Sequence, residues 1–155
     1  MVLHAWSFVT ISLAALLMGC TFGHVLEMPA KLKMEASFWM TVQQRLYRAF
    51  APIGGSIEIA AIISTAVLAF LVRDDERVFY LTLGAAISLA GAFFVVWLMF
   101  TNTVNVEVRK WKARSIPRDW KEWRAQWEFS HAARFVLQLI GFGALLLSAL
   151  RLQPV

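Results

Sequence analysis

Four apolar runs separated by polar stretches set the pattern of this chain: Ala5–Gly23, Ile53–Val72, Val78–Phe100 and Phe135–Leu150. Each comes close to the roughly 20 residues that cross a hydrocarbon layer, and their only charged interior member is Glu58. Backbone amides in lipid must bond within their own segment, so each run is predicted to be an α-helix. With their interfacial turns the spans are expected at about residues 5–27, 53–72, 78–100 and 129–151. The expected fold is all-α, a four-transmembrane-helix bundle forming one integral membrane domain over residues 1–155. Gly54, Gly55, Gly84, Gly91, Gly141 and Gly143 are the expected points of close helix approach.

The polar stretches carry helical periodicity of their own. Phe38, Val42, Leu46 and Ala49 recur at helical spacing while Gln43, Arg45 and Arg48 fall elsewhere, which predicts an amphipathic interfacial helix between spans one and two. Pro117 and Asp119 suit the first turn of a helix. Trp120, Trp123 and Trp127 follow at i, i+3 and i+7, on a cytoplasmic extension of the fourth helix. The indoles read either as an aromatic interface belt or as a stacking wall for a flat aromatic or quinone-like ligand.

Composition narrows the class. Hydrophobic residues make up 59% and charged residues 16% of 155, more apolar surface than a soluble core of this length buries. The net charge of +5 is concentrated. Lys31, Lys33, Arg45 and Arg48 lie between spans one and two, and Arg109, Lys110, Lys112, Arg114, Arg118, Lys121 and Arg124 between spans three and four. The positive-inside rule then makes both long loops cytoplasmic and puts both termini on the non-cytoplasmic side of a plasma (inner) membrane. Basic loops of this kind imply contact with anionic lipid rather than nucleic acid. The expected partners are the bilayer and a hydrophobic small molecule, with a homo-oligomer as a further candidate assembly.

Leu16–Cys20, "LLMGC", has the shape of a lipoprotein cleavage box, but the run before it has no Lys or Arg, and it is read as a retained span. Cys20 is the sole cysteine, which excludes an intrachain disulfide, and is expected to pack as a small hydrophobe. His4 is expected at the surface of the opposite end.

Candidate chemistry gathers at one level of the bundle. His24 is 19 residues from Ala5 and His131 is 20 from Arg151, in both cases about 30 Å along a helix. The two imidazoles should therefore share a depth. Glu58, 15 residues before Arg73, is expected slightly deeper in the hydrocarbon, about 22 Å from that end. Glu27, Glu128, Arg134, Asn102 and Asn105 surround this level. His24 with Glu27, and Glu128 with His131, are each three apart and share a helix face. A buried Glu58 calls for a partner, Arg134 or Asn102, or for a task as acid, base or ligand.

Two mechanisms use these residues. In one, His24, Glu27, Glu58, Glu128 and His131 bind a first-row metal, with iron, manganese or copper as candidates; helical Glu-x-x-His pairs supply ligands in di-iron bundles. In the other, His24 or His131 is a general base on an acidic C–H or phenol and Arg134 holds the anion.

"GHVLEMPAKL" (Gly23–Leu32), "NVEVRKW" (Asn105–Trp111) and above all "DWKEWRAQWEFSHAAR" (Asp119–Arg134) resemble the anthrone oxygenase-like family of small four-span membrane proteins. The most specific elements are Trp111, Pro117, Trp120, Arg124, Trp127, Glu128 and His131. The resemblance runs along essentially the whole chain and implies a four-helix membrane bundle. For members with assigned roles it implies oxygenation of an anthrone-type polyphenol to an anthraquinone, without a dedicated organic cofactor. The family pattern ends the third span in Asn-x-Pro-x-Asn. Here Asn105 matches the second Asn, while Thr103 replaces the proline and Thr101 the first Asn, with Asn102 adjacent. This places the chain nearer the bacterial branch whose members form a domain of unknown function.

The functional expectation is an integral membrane oxidoreductase, oxygenase-like, with His24, Glu58, His131 and Arg134 as catalytic candidates and Asn102, Asn105, Trp120, Trp123, Trp127 and Arg124 as substrate-binding ones. The competing expectation is a non-enzymatic binding or assembly subunit whose polar cluster fixes helix packing.

Overall fold

The computed structural model describes residues 2–152; residues 1 and 153–155 of the expected domain lie outside the described residues. It is all-α. Helix α1 (Val2–Lys31) is followed by a short interfacial segment that starts as α2 (Ala36–Thr41), widens over Val42–Leu46 and tightens over Tyr47–Ala49. That segment runs directly into α3 (Phe50–Leu71). A tight turn, capped by Asp75 Oδ1 accepting from the amides of Arg77 and Val78 at 3.1 Å, starts α4 (Glu76–Ala90). The same rod continues through an 11-residue π-helical stretch, Gly91–Thr101, into α5 (Asn102–Val108), and α6 (Trp120–Arg151) closes the chain.

Four helical rods are long and apolar enough to cross a membrane: Val2–Lys31, Phe50–Leu71, Glu76–Val108 and Trp120–Arg151. Each extends past its expected span at one end or both, the second stopping one residue short at Leu71. The last helix starts at Trp120 rather than in the turn around Pro117, with Asp119 as its N-cap residue. Helix α1 packs on α3 and α6, and α4 packs on the same two, a closed ring of four antiparallel neighbours.

A heptad seam holds the ring together. Ten positions of α6 are buried; eight of them, Arg124, Trp127, His131, Arg134, Gln138, Gly141, Leu145 and Ser148, alternate at spacings of three and four, the repeat of left-handed helix packing, and Glu128 and Ser130 flank that seam. Helix α1 buries Ser7, Thr10, Ala14, Leu17, Thr21, His24 and Lys31 in the same phase. Apart from Leu17, Trp127 and Leu145 these seams are small or polar, whereas Phe8, Leu16, Phe70, Ile87 and Phe94 point outward. Lipid is as apolar as leucine, so burying leucine contributes little there; close approach and interhelical hydrogen bonds decide which face turns inward. Thr10 and Ser64 hydroxyls lie 2.7 Å apart, Thr82 and Ser148 2.8 Å, and Thr101 and Ser130 2.8 Å. Each bond contributes about 0.6 kcal/mol in such bundles.

Of the glycines expected to permit close approach, only Gly141 does. A Cβ there would lie 3.2 Å from Leu89 and 3.3 Å from the Ala85 carbonyl oxygen, while Gly54, Gly55, Gly84, Gly91 and Gly143 face open space. Gly141→Leu should therefore cost about 2 kcal/mol by overpacking in a denaturant titration in detergent, and Gly143→Ala, with open space at its Cβ, should not lower the midpoint, since Ala suits a helix interior better than Gly. Equal midpoints for Gly141→Leu and wild type would remove this contact from the account of the bundle.

The interfacial segment buries Trp39, Met40 and Gln43, while Phe38 and Leu46 are exposed. Phe38 and Leu46 of the apolar stripe read from the sequence thus face away from the protein. Trp39 and Met40 join Val104, Val108, Trp111 and Trp127 in a cluster that plugs the loop end of the bundle.

Candidate functional site

Just beneath that plug, the polar seam residues of α1, α3 and α6 meet. The ring centroids of His24 and His131 are 4.3 Å apart, and both imidazoles are buried. Trp127 lies one turn before His131, its ring centroid 4.0 Å from that of His131 and 5.0 Å from that of His24. Its indole N–H donates to Asn105 Oδ1 at 3.0 Å, which ties α5 to the site.

The two imidazoles have opposite hydrogen-bonding demands. His131 Nδ1 lies 2.9 Å from the Trp127 carbonyl oxygen. A carbonyl only accepts, so Nδ1 carries the proton and Nε2 keeps a lone pair. His24 Nδ1 lies 3.4 Å from Lys31 Nζ, while the Glu27 carboxylate, itself held by Lys31 and Tyr47, stands at 3.7 Å, beyond hydrogen-bond reach. An ammonium only donates, so in the neutral ring Nδ1 accepts and Nε2 carries the proton. His131 thus keeps a basic nitrogen and His24 a ring donor, on two residues that line one cavity.

Lys31 is 1% exposed and organises the carboxylates around it. Its ammonium is 3.2 Å from Glu27 and 3.3 Å from Glu128, and 4.5 Å from the centre of the Trp127 ring. Glu128 also accepts from the Trp39 indole at 3.4 Å. Glu27, half-exposed, accepts from the Tyr47 hydroxyl. Burial, and then the Glu27 carboxylate, push the Tyr47 phenol above its ordinary pKa, which keeps it a donor.

Deeper in the bundle Glu58 is held by Arg134 at 2.6 Å and by the Gln138 side-chain amide at 3.1 Å, and Gln138 in turn accepts from Thr21 at 2.6 Å. Arg134 Nε is buried with no acceptor among the described residues. Thr21, Glu58 and Arg134 line a cavity of about 60 Å³ together with Tyr47, Trp97 and Asn105, room for a few waters; Gln138 supports Glu58 from outside that lining. Cys20, Gly54 and Gly55 form its wall between α1 and α3; Cys20 is exposed rather than packed as a small hydrophobe.

The structure brings His24, Glu58, Trp127, His131, Arg134 and Asn105 to this cavity and separates the others from it. Arg124 does not reach it: its guanidinium donates to the Lys31 and Met34 carbonyl oxygens at 3.3 and 2.8 Å, closing the C-terminal end of α1. Trp120 stacks on Arg124 at 4.6 Å. Trp123 donates to Asp119 at 3.1 Å, and both indoles pack against the plug cluster. A helical stripe of three tryptophans therefore yields one cavity residue, because the plug takes the first two. Asn102 lines neither this cavity nor the neighbouring groove, and the partner of Glu58 beside Arg134 is Gln138.

The expected metal set does not fit. Among the described residues no three His, Cys, Asp or Glu side chains converge to hold a metal ion. Lys31 supplies the positive charge between Glu27 and Glu128, and Arg134 neutralises Glu58, so the carboxylates that would ligate already have cations. The sequence reading missed Lys31, Tyr47, Trp97 and Gln138. For Lys31 a signal existed: it lies four residues after Glu27 and seven after His24, on their face of α1.

No family model matches the chain, and no curated protein or solved structure matches it either. What the fold and composition establish is the class: a multi-pass helical membrane protein.

Proposed function

We propose that the protein is an oxygenase-like membrane enzyme that removes a proton from an acidic, hydrophobic aromatic substrate without a metal. The observation that carries this reading is the pair of imidazoles 4.3 Å apart with opposite demands on their Nε2 atoms, beside the unpartnered Nε of Arg134. His131 Nε2 accepts the substrate proton, and His24 Nε2–H and Arg134 stabilise the anion that forms. Molecular oxygen is the co-substrate and oxidant: a ring CH₂ and O₂ give a carbonyl and water. A tricyclic ring exceeds the cavity of about 60 Å³, so its reacting edge enters while the remainder lies in the leaflet between α1 and α3, past Cys20, Gly54 and Gly55. The resemblance to the anthrone oxygenase-like family supports the same chemistry. In this reading the basic loop end faces the cytoplasm and both termini lie across an inner membrane.

Oxygen uptake and anthraquinone absorbance with a hydroxylated anthrone test it. Protein in detergent should exceed the detergent blank, and His131→Ala should reduce the rate by about 10²–10⁴-fold, with His24→Ala also impaired. A wild-type rate equal to the blank would sink the proposal. Undiminished rates in both variants would sink it too. The competing reading, an assembly or binding subunit, draws on the closed Arg134–Glu58–Gln138 network; it expects those substitutions to lower stability with no turnover to lose.

A further inference from the structure

A second, larger recess adjoins the histidine cavity and shares Tyr47, Ala51 and Asn105 with it. It measures about 640 Å³ and lies between the interfacial segment and the end of α5, within the size range of ligand sites. Its walls carry Arg45, Arg48 and Arg109, and none of the three is ion-paired among the described residues. No carboxylate lines it. Gln44 holds the two walls in register, its amide donating to the Val108 and Trp111 carbonyl oxygens at 2.8 and 3.0 Å.

Gln43 provides an independent sign of a ligand. It is 8% exposed, it lines the recess, and its Nε2 has no acceptor among the described residues. A buried amide donor without an acceptor costs free energy, which an anion in the recess would recover. Three guanidinium groups and the Gln43 amide N–H give the lining an excess of donors, and no acidic residue is among those that line it. Guanidinium forks match phosphate oxygens in geometry as well as charge.

Position selects the source of the phosphate. The recess lies where the interfacial segment enters α3, and Leu46, Phe50, Ile53 and Val106, each adjacent in sequence to a lining residue, are exposed apolar side chains. A free anion has no use for them, whereas acyl chains would lie along them. We infer that this recess is a specific site for the phosphate headgroup of an anionic phospholipid, held by Arg45, Arg48, Arg109 and Gln43.

The test uses the full chain purified in neutral detergent and exchanged into mixed micelles with phosphatidylglycerol or phosphatidylcholine, bound lipid being counted by native mass spectrometry. About one phosphatidylglycerol per chain should be retained, at least about tenfold over phosphatidylcholine, given roughly the attraction of one basic residue or more at the surface. Arg45→Gln/Arg48→Gln/Arg109→Gln should abolish that preference. Arg114→Gln/Arg118→Gln, equal in kind but on the loop outside the recess, should keep it. Should the triple variant not fold, Arg109→Gln and Gln43→Leu serve singly, each expected to weaken retention several-fold. The proposal fails if both lipids are retained equally, if the loop variant loses as much as the recess variants, or if millimolar inorganic phosphate displaces the lipid completely, which would make the recess a site for a free anion.

Discussion

Arg134→Met is expected to destabilise the bundle by about 3–5 kcal/mol, because it leaves Glu58 as an uncompensated charge in the hydrocarbon interior. Glu58 is 1% exposed and Arg134 6%, and their 2.6 Å contact joins α3 to α6. Removing both charges should be far milder. In Arg134→Met/Glu58→Leu the desolvation cost disappears together with the attraction, and apolar replacements of a buried pair are often neutral or stabilising. Gln138 keeps its Thr21 partner in that variant. Denaturant titrations of wild type, both single variants and the double variant in one detergent give the coupling directly. A single variant within about 1 kcal/mol of wild type would show that water or a shifted side chain solvates Glu58, contrary to the burial that breaking such a pair presupposes.

The second large effect concerns Lys31. Lys31→Met should cost about 3 kcal/mol or more, since it strips the cation from Glu128, itself 1% exposed, and removes the donor from His24 Nδ1. Glu27 is half-exposed and can turn to solvent, so most of the loss should trace to Glu128. Lys31→Met/Glu128→Gln should therefore recover most of the midpoint, while Lys31→Met/Glu27→Gln should not. Equal rescue by both would place the dominant interaction on Glu27 instead.

These two pairs also explain what could be read in the sequence. Hydropathy located the four rods because the lipid-facing side chains are nearly all apolar. The shared depth of His24 and His131 followed from counting residues from opposite ends of two spans, which works because rise per residue is fixed. Glu58 announced itself as the only charge in an apolar run. Partner identity was harder, because it depends on rotation about each helix axis. The seam that fixes rotation is written in Thr, Ser, Ala and Gly as much as in larger residues, so the hydrophobic pattern alone does not show it. That is why Gln138 was passed over for Asn102, which lies on the rod α4–α5 but outside the cavity. Lys31 was assigned to a loop by its charge, although its phase matches His24. Arg124, Trp120 and Trp123 were drawn toward the site by spacing. In the fold, α1 ends beneath them and its open carbonyls claim Arg124.

The π-helical stretch Gly91–Thr101 makes the third rod unusually sensitive to its own length. An α-helix turns about 100° per residue, and wide turns accommodate residues that an α-helical path would not. Deleting one residue there and letting the rod rewind would rotate everything beyond it by roughly a quarter turn or more. Thr101 would leave Ser130, and Asn105 would leave the Trp127 indole, although neither residue had changed. Related chains that differ by one residue in this stretch should therefore carry altered partners on α6, and a residue-by-residue alignment through the third rod would pair positions that do not face the same way.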